Sequence, residues 1–305
     1  MSNNLRSSIC LSSTFTKAIT LPQPRAFTGF HDFNLTTGRL IATPRRALLE
    51  TGHLMRSPTQ LLHSRTRVRD RYALLPMEGF PPSRLPGWTG TEARIQASPA
   101  LGAAFAWYHL RLSAGGGTDH ARDDRVETFF YVLNGAVLIV INDDAPQRLV
   151  TGSFAFVPHD TRFRVEAHQD SVVIMIRKAY EPAVGIKSPK PLVGSASSVP
   201  ATPFMGLAGA RLQSLIPDEL EYDLAVNIFT FDPGNSLPYV ETHVMEHGLH
   251  VLEGKGIYFL GDDWMEVEQD DFIWMGPYCP QSFYATGPAP AKYIYYKNVN
   301  RDVTL

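Results

Sequence analysis

From about residue 72 onward, apolar, β-branched and aromatic residues gather in short runs separated by Gly, Pro, Asp and Asn. Such runs occupy 104–112, 128–133, 136–141, 153–157 and 171–177. After a break they resume at 224–231, 248–252, 256–260, 271–275, 281–285 and 292–297. Segments this short, bounded by turn residues, predict antiparallel strands of a sandwich or barrel. No long helical period interrupts them, although 216–220 can form a short turn of helix. The break at 187–203 reads KSPKPLVGSASSVPATP and predicts a linker.

The two halves repeat each other. One carries FFYVLNGAVLIVI (129–141) and then TGSFAFVPHDTRF (151–163); the other carries LHVLEGKGIYFLG (249–261) and then QDDFIWMGPYCPQS (269–282). In each, an apolar run ends in Leu-x-Gly, an alternating strand follows, and a later turn leads into a second strand. A repeat on this scale implies duplicated domains. The expected architecture is all-β, two jelly-roll-like barrels in tandem. Its parts are an extension at 1–62, an N-terminal barrel at 63–186, the linker at 187–203 and a C-terminal barrel at 204–305.

Length and composition allow this and exclude some functions. The 305 residues suffice for two domains with cores of their own. A net charge of −2 offers no attraction to nucleic acid or an anionic membrane. No apolar run approaches the ~20 residues needed to cross a bilayer. Two cysteines, Cys10 and Cys279, are too few for a disulfide framework, and Cys279 is expected as a small half-buried residue. The first acidic residue is Asp32, preceded by Arg6, Lys17 and Arg25 among many Ser and Thr. That composition is similar to an organelle transit peptide, but it lacks a clear amphipathic basic helix, and Met55 offers another start. Without a targeting role for 1–62 the chain is cytoplasmic; with one it is organellar or in the endoplasmic reticulum. Arg65, Arg67, Arg69 and Arg71 are expected at the solvated surface.

The stretch PGNSLPYVETHVMEHGLHVLEGKG (233–256) holds the candidate chemistry. On a strand, Glu241 and His243 project to one face. His247 follows a bend and can face them from the next strand. One carboxylate and two imidazoles suit a divalent metal, and an added amide from Gln281 shifts the preference toward six-coordinate ions such as Mn²⁺ or Fe²⁺. His250 is expected to point away, Glu246 to be solvated or to lie behind a ligand, and Glu253 to be exposed. Tyr293, Tyr295 and Lys297 share one strand face, with Ile294 and Tyr296 on the other. A lysine on an inward face is costly to bury without an anionic partner, which argues for a role for Lys297.

These residues resemble the first motif of the cupin superfamily, Gly-x5-His-x-His-x(3,4)-Glu-x6-Gly. Glu241 and His243 stand in its two His slots, His247 in the Glu slot, and Gly254 closes it. The second motif falls on 270–281, with Gln281 in place of the His ligand and departures at Asp270, Gly276 and Tyr278. The ligand set, with GIY at 256–258, Pro280-Gln281 and YIYYKNVNRDV at 293–303, resembles the (S)-ureidoglycine aminohydrolase family of bicupins. GGGTD (115–119) and ETFFYVLNGAV (127–137) extend the likeness to the first half, so that it covers about 65–305. The resemblance implies one Mn²⁺ per chain on Glu241, His243, His247 and Gln281, with substrate contacts from Tyr258, Tyr293 and Lys297. Lys297 and Glu241 become the catalytic candidates, and homo-oligomers are expected.

In the N-terminal repeat the same slots hold Arg122, Asp124, Thr128 and Phe163, which cannot hold a metal; Glu127 and His120 lie outside the slots. That barrel is expected to be a structural partner. Two other classes fit the same slots: another metal cupin acting on a small acid (a dioxygenase or isomerase), and a non-enzymatic metabolite-binding bicupin. A pocket lined by Tyr258, Tyr293 and Lys297, rather than plugged by apolar side chains, favours an enzyme.

Overall fold

The computed structural model describes residues 65–120 and 125–303. The extension at 1–62, with Cys10 and Met55, and the slot residues Arg122 and Asp124 lie outside the described residues. Twenty strands are described. The first eleven are β1 (Arg67–Val68), β2 (Tyr72–Leu75), β3 (Trp88–Ala97), β4 (Phe105–His120), β5 (Val126–Asn134), β6 (Ala136–Ile141), β7 (Gln147–Val150), β8 (Ser153–Val157), β9 (Phe163–Ala167), β10 (Ser171–Ala179) and β11 (Leu192–Ser195). The others are β12 (Thr202–Phe204), β13 (Leu207–Ser214), β14 (Leu224–Phe231), β15 (His247–Glu253), β16 (Lys255–Leu260), β17 (Asp263–Glu268), β18 (Phe272–Met275), β19 (Gln281–Ala285) and β20 (Ala291–Asn298). Helix among the described residues is confined to three short 3₁₀ turns, so the chain is all-β as its pattern predicts. The short helix expected at 216–220 is absent: Pro217 pushes Ile216 away from the α region, and the stretch runs as bends.

Strands β11-β8-β5-β10-β4-β9-β6-β7, with β3 on β4, form the N-terminal sheet. The C-terminal half pairs an eight-stranded sheet, β1-β2-β18-β15-β20-β14-β13-β12, with a three-stranded one, β17-β16-β19. Two crossings tie the halves together. β1 and β2 precede the N-terminal barrel in sequence, yet β2 pairs with β18 in the C-terminal sheet. The segment 187–203 contributes β11, which pairs with β8. Of the arginines expected at the surface, Arg67, Arg69 and Arg71 are exposed. Arg65 instead bonds Asp271 and Glu268, because the strand that follows it carries it to the edge of β17 and β18.

The nearly unbroken apolar runs follow from burial on both faces of the central strands. On β5, Phe130 and Val132 fill the N-terminal barrel, while Phe129 and Tyr131 face the C-terminal half. β10 alternates the same way, Val173 and Met175 inward against Ile174 and Ile176 outward. β20 answers with Tyr293 and Tyr295 in its own barrel and Ile294 and Tyr296 outward. The outward sets meet: Phe105 packs on Tyr296 with ring centroids 4.3 Å apart, and Trp107 on Phe272 at 5.4 Å. Gly248 lets them close, since a Cβ there would lie 2.7 Å from the Phe105 ring. The repeat also shows in the turns. Gly152 (φ 82°) and Asp270 (φ 71°) occupy equivalent left-handed positions, and Asp is among the few non-glycine residues that tolerate one.

A charged cluster sits in this joint. Lys178 pairs with the fully buried Asp223, and Glu127 is fully buried beside them. Burial, with the neighbouring Asp223, drives the Glu127 carboxyl well above the usual carboxylate range; Lys178 and Arg301 act in the opposite sense. Tyr296 and Tyr180 also face this charge. Glu127 therefore keeps its proton in the fold at pH values where the unfolded chain has released it. That contribution is fully present below the unfolded value and declines as pH rises toward the folded one. Glu127→Gln, neutral at every pH, should flatten the melting-temperature profile as pH rises above the unfolded carboxylate value, read by calorimetry. An unchanged slope would show that Glu127 is ionised in the fold.

Candidate metal and substrate site

The C-terminal barrel interior opens into a cavity of about 510 Å3, the size of ordinary small-molecule sites. Its floor is the inward face of β14, β15 and β20. Registers set Lys297 opposite both Ala225 and His247, and Tyr295 opposite Asn227 and Leu249. Thus Tyr293, Tyr295 and Lys297 all line the cavity, with His247 beside them.

Glu241 and His243 do not lie on a regular strand as their spacing suggested. Glu241 forms a single bridge to Gln281, exchanging backbone bonds of 2.8 and 2.9 Å. His243 sits in the following loop, fastened by the Tyr278 N–H on its carbonyl at 2.7 Å. Pro233, Gly234 and Pro238 break the pattern before them, so isolated bridges at Ser236 and Glu241 replace a ladder. The outcome for the side chains is convergence. Nε2 of His243 lies 3.1 Å from Nε2 of His247 and 3.4 Å from the Gln281 amide. The Glu241 carboxylate shares the cavity with them.

Electrostatics hold both imidazoles neutral. Burial, then the Lys297 charge, lowers the His243 pKa; burial, then His243 and Lys297, lowers that of His247 further. Nδ1 of His243 bonds the Met245 carbonyl at 3.1 Å, so it carries the ring proton and leaves Nε2 a lone pair. Burial raises the Glu241 pKa while Lys297 pulls it down. Tyr258 donates to Gln281 Oε1 at 3.3 Å, fixing the amide, and burial keeps its phenol protonated.

This donor set fits an ion. Adjacent ligands about 2.1 Å from one metal stand roughly 3.0–3.4 Å apart, the range of the two separations seen. Among the described residues no three His, Cys, Asp or Glu side chains already converge as a metal cluster. The two imidazoles and the amide are close together, and Glu241 lines the same cavity.

The neighbours fall into place around this pair. His250 turns away from the cavity into the joint, its ring 6.2 Å from that of His109. Burial lowers the His109 pKa to about 3. Glu246 is buried and accepts the Ala104 N–H at 3.0 Å. Glu253 is exposed and bonds Lys292; Cys279 is more buried than expected, at 4% exposure. In the N-terminal barrel Phe163, in the last ligand slot, packs on Phe130 at 5.4 Å within an apolar core. Sequence reasoning missed Asn227, a cavity residue. Its signal was present, one amide in the apolar strand LAVNIFTF, where an unpaired polar group is costly.

Comparison with known proteins places the chain in a family. The cupin domain family matches residues 227–296, which span the floor and both motifs. The chain is 33% identical over 250 residues to the (S)-ureidoglycine aminohydrolase of Escherichia coli K12, covering 80% of this chain and 95% of that one. It is 30% identical over 239 residues to the (S)-ureidoglycine aminohydrolase of Arabidopsis thaliana, covering 78% and 79%. The crystal structure of the Escherichia coli protein YlbA superposes with a TM-score of 0.72 at 32% identity, covering 82% of this chain and all of that one. With a third of positions shared along nearly the whole length of such a relative, the chain belongs to the (S)-ureidoglycine aminohydrolase family.

Proposed function

We propose that the C-terminal cavity hydrolyses (S)-2-ureidoglycine to (S)-ureidoglycolate and ammonia, a step of allantoin and purine breakdown, with one Mn²⁺ per chain. The observation that carries this is the convergence of two neutral imidazoles and an amide in a cavity that also holds Glu241 and Lys297. Glu241, His243, His247 and Gln281 would hold the ion, which supplies Lewis-acid polarisation and a fixed template when bound.

The chain's own residues do the rest. The substrate bears an amine, a ureido nitrogen and a carboxylate on one carbon. Lys297 Nζ, cross-strand from His247, pairs with the carboxylate and orients the carbon beside the ligand group. Tyr258 holds the Gln281 amide and, with Tyr293, walls one side. The ureido nitrogen lone pair assists loss of ammonia and leaves an imine-like carbon. Water adds there and returns to Lys297 the proton that its ammonium gave to the departing amine. Overall one C–N bond breaks, one C–O bond forms, and one water is consumed per ammonia. A lining of Tyr258, Tyr293 and Lys297 favours an enzyme over a metabolite-binding module. The test is ammonia release and product chirality from (S)-ureidoglycine with and without Mn²⁺. Metal-dependent ammonia and the (S) product are expected; oxygen uptake without ammonia would turn the reading to a dioxygenase.

A further inference from the structure

The cavity floor has a second polar row that the ligand group and Lys297 leave unused. Register aligns Ser214, Asn227 and Tyr295 across β13, β14 and β20, one step along from the row that carries Lys297 and His247. Asn227 is buried, and its Nδ2 donates to the Tyr295 hydroxyl at 3.1 Å. That bond uses the phenol oxygen as acceptor, so the phenol hydrogen is directed elsewhere. Asn227 Oδ1 accepts no hydrogen bond from any described residue. The Tyr295 ring is fixed by stacking on Phe229 (5.7 Å, 13°) and by contact with His247 at 5.6 Å. The row therefore offers one acceptor and one donor, side by side.

We propose that Asn227 and Tyr295 form a ureido-recognition subsite that sets the substrate's orientation, an inference that rests on the ureidoglycine reading above. A primary ureido group presents N–H donors and a carbonyl acceptor in one plane. Asn227 Oδ1 takes the terminal NH2, and the Tyr295 O–H donates to the carbonyl. A carboxylate does not suit the same place, because Oδ1 would face a second acceptor. Lys297 and Tyr295 are two residues apart on one strand face, about 7 Å. That span suits a molecule with a carboxylate and a ureido carbonyl on either side of a tetrahedral carbon. The substrate can then lie only one way round.

Two stable probes isolate the contacts: N-carbamoylglycine, and N-acetylglycine, in which methyl replaces the terminal NH2. Their affinities are measured by calorimetry on the full chain in Mn²⁺-containing buffer. The wild type should prefer N-carbamoylglycine by about tenfold, as expected when a buried acceptor loses its donor. Asn227→Ala should bring the two within about twofold. Tyr295→Phe keeps the ring and should weaken both probes alike, since both retain the carbonyl. The subsite is overturned if the wild type binds the two equally or binds neither, or if Asn227→Ala leaves the preference intact. Ammonia release from ureidoglycine by the wild type is scored separately: its absence sinks the substrate reading, while a lost preference in an active enzyme sinks the subsite alone.

Discussion

Replacing His243 with Ala is expected to leave the protein folded, free of bound Mn²⁺ and slower by on the order of 10³-fold in kcat/KM, since several kcal/mol of Lewis-acid stabilisation disappear. The loop position of His243 is what makes the experiment clean. The side chain is half-exposed and outside the regular strands, so its removal opens no core cavity. His247, buried at the head of β15, would confound loss of metal with loss of packing. Elemental analysis of the purified variant, a melting curve and an ammonia assay together give the answer. A metal-free His243→Ala enzyme that still releases ammonia would refute the metal site.

The largest effect on stability is expected in the joint between the halves. Lys178→Ala leaves Asp223 buried without its ammonium partner, beside Glu127. Breaking a buried pair from one side costs about 3–5 kcal/mol. At about 2–4 °C per kcal/mol for a domain of this size, the melting temperature should fall by roughly 10 °C. Asp223→Asn in the same background removes the stranded charge and should restore much of the loss. The amide can still accept the Glu181 N–H that now bonds Asp223 at 2.7 Å. If the single variant melts like the wild type, water reaches the cluster and the pair is not a buried one.

The fold was most legible where strands are buried on both faces. The runs at 136–141, 153–157, 224–231 and 281–285 coincide with β6, β8, β14 and β19, because apolar runs between turns leave few alternatives. β3 and β17 escaped notice. Their sequences, WTGTEARIQA and DWMEVE, mix charged and apolar residues on strands with partly exposed faces. β2 was hidden for a different reason: its partner β18 lies some 200 residues away, and no local pattern announces it. The convergence of His243, His247 and Gln281 was legible from spacing, and the local backbone was not. A Glu-x-His pair reads as a strand by period two, whereas the chain achieves the same convergence with one bridge and a loop. Asn227 is the complementary case, a lone amide in an apolar strand whose partner is fixed by register alone.

The pairing of Tyr72–Leu75 with Phe272–Met275 also bears on how the molecule is made. β2 leaves the ribosome about 200 residues ahead of its partner. At ≈ 5–20 residues per second the gap is roughly 10–40 s. During that time the N-terminal barrel can close as soon as β11 emerges, while β1 and β2 wait beside it with open edges. Such edges invite pairing with other chains. Completion of the C-terminal barrel, and with it of the cavity on β14, β15 and β20, thus waits for strands made long after β2.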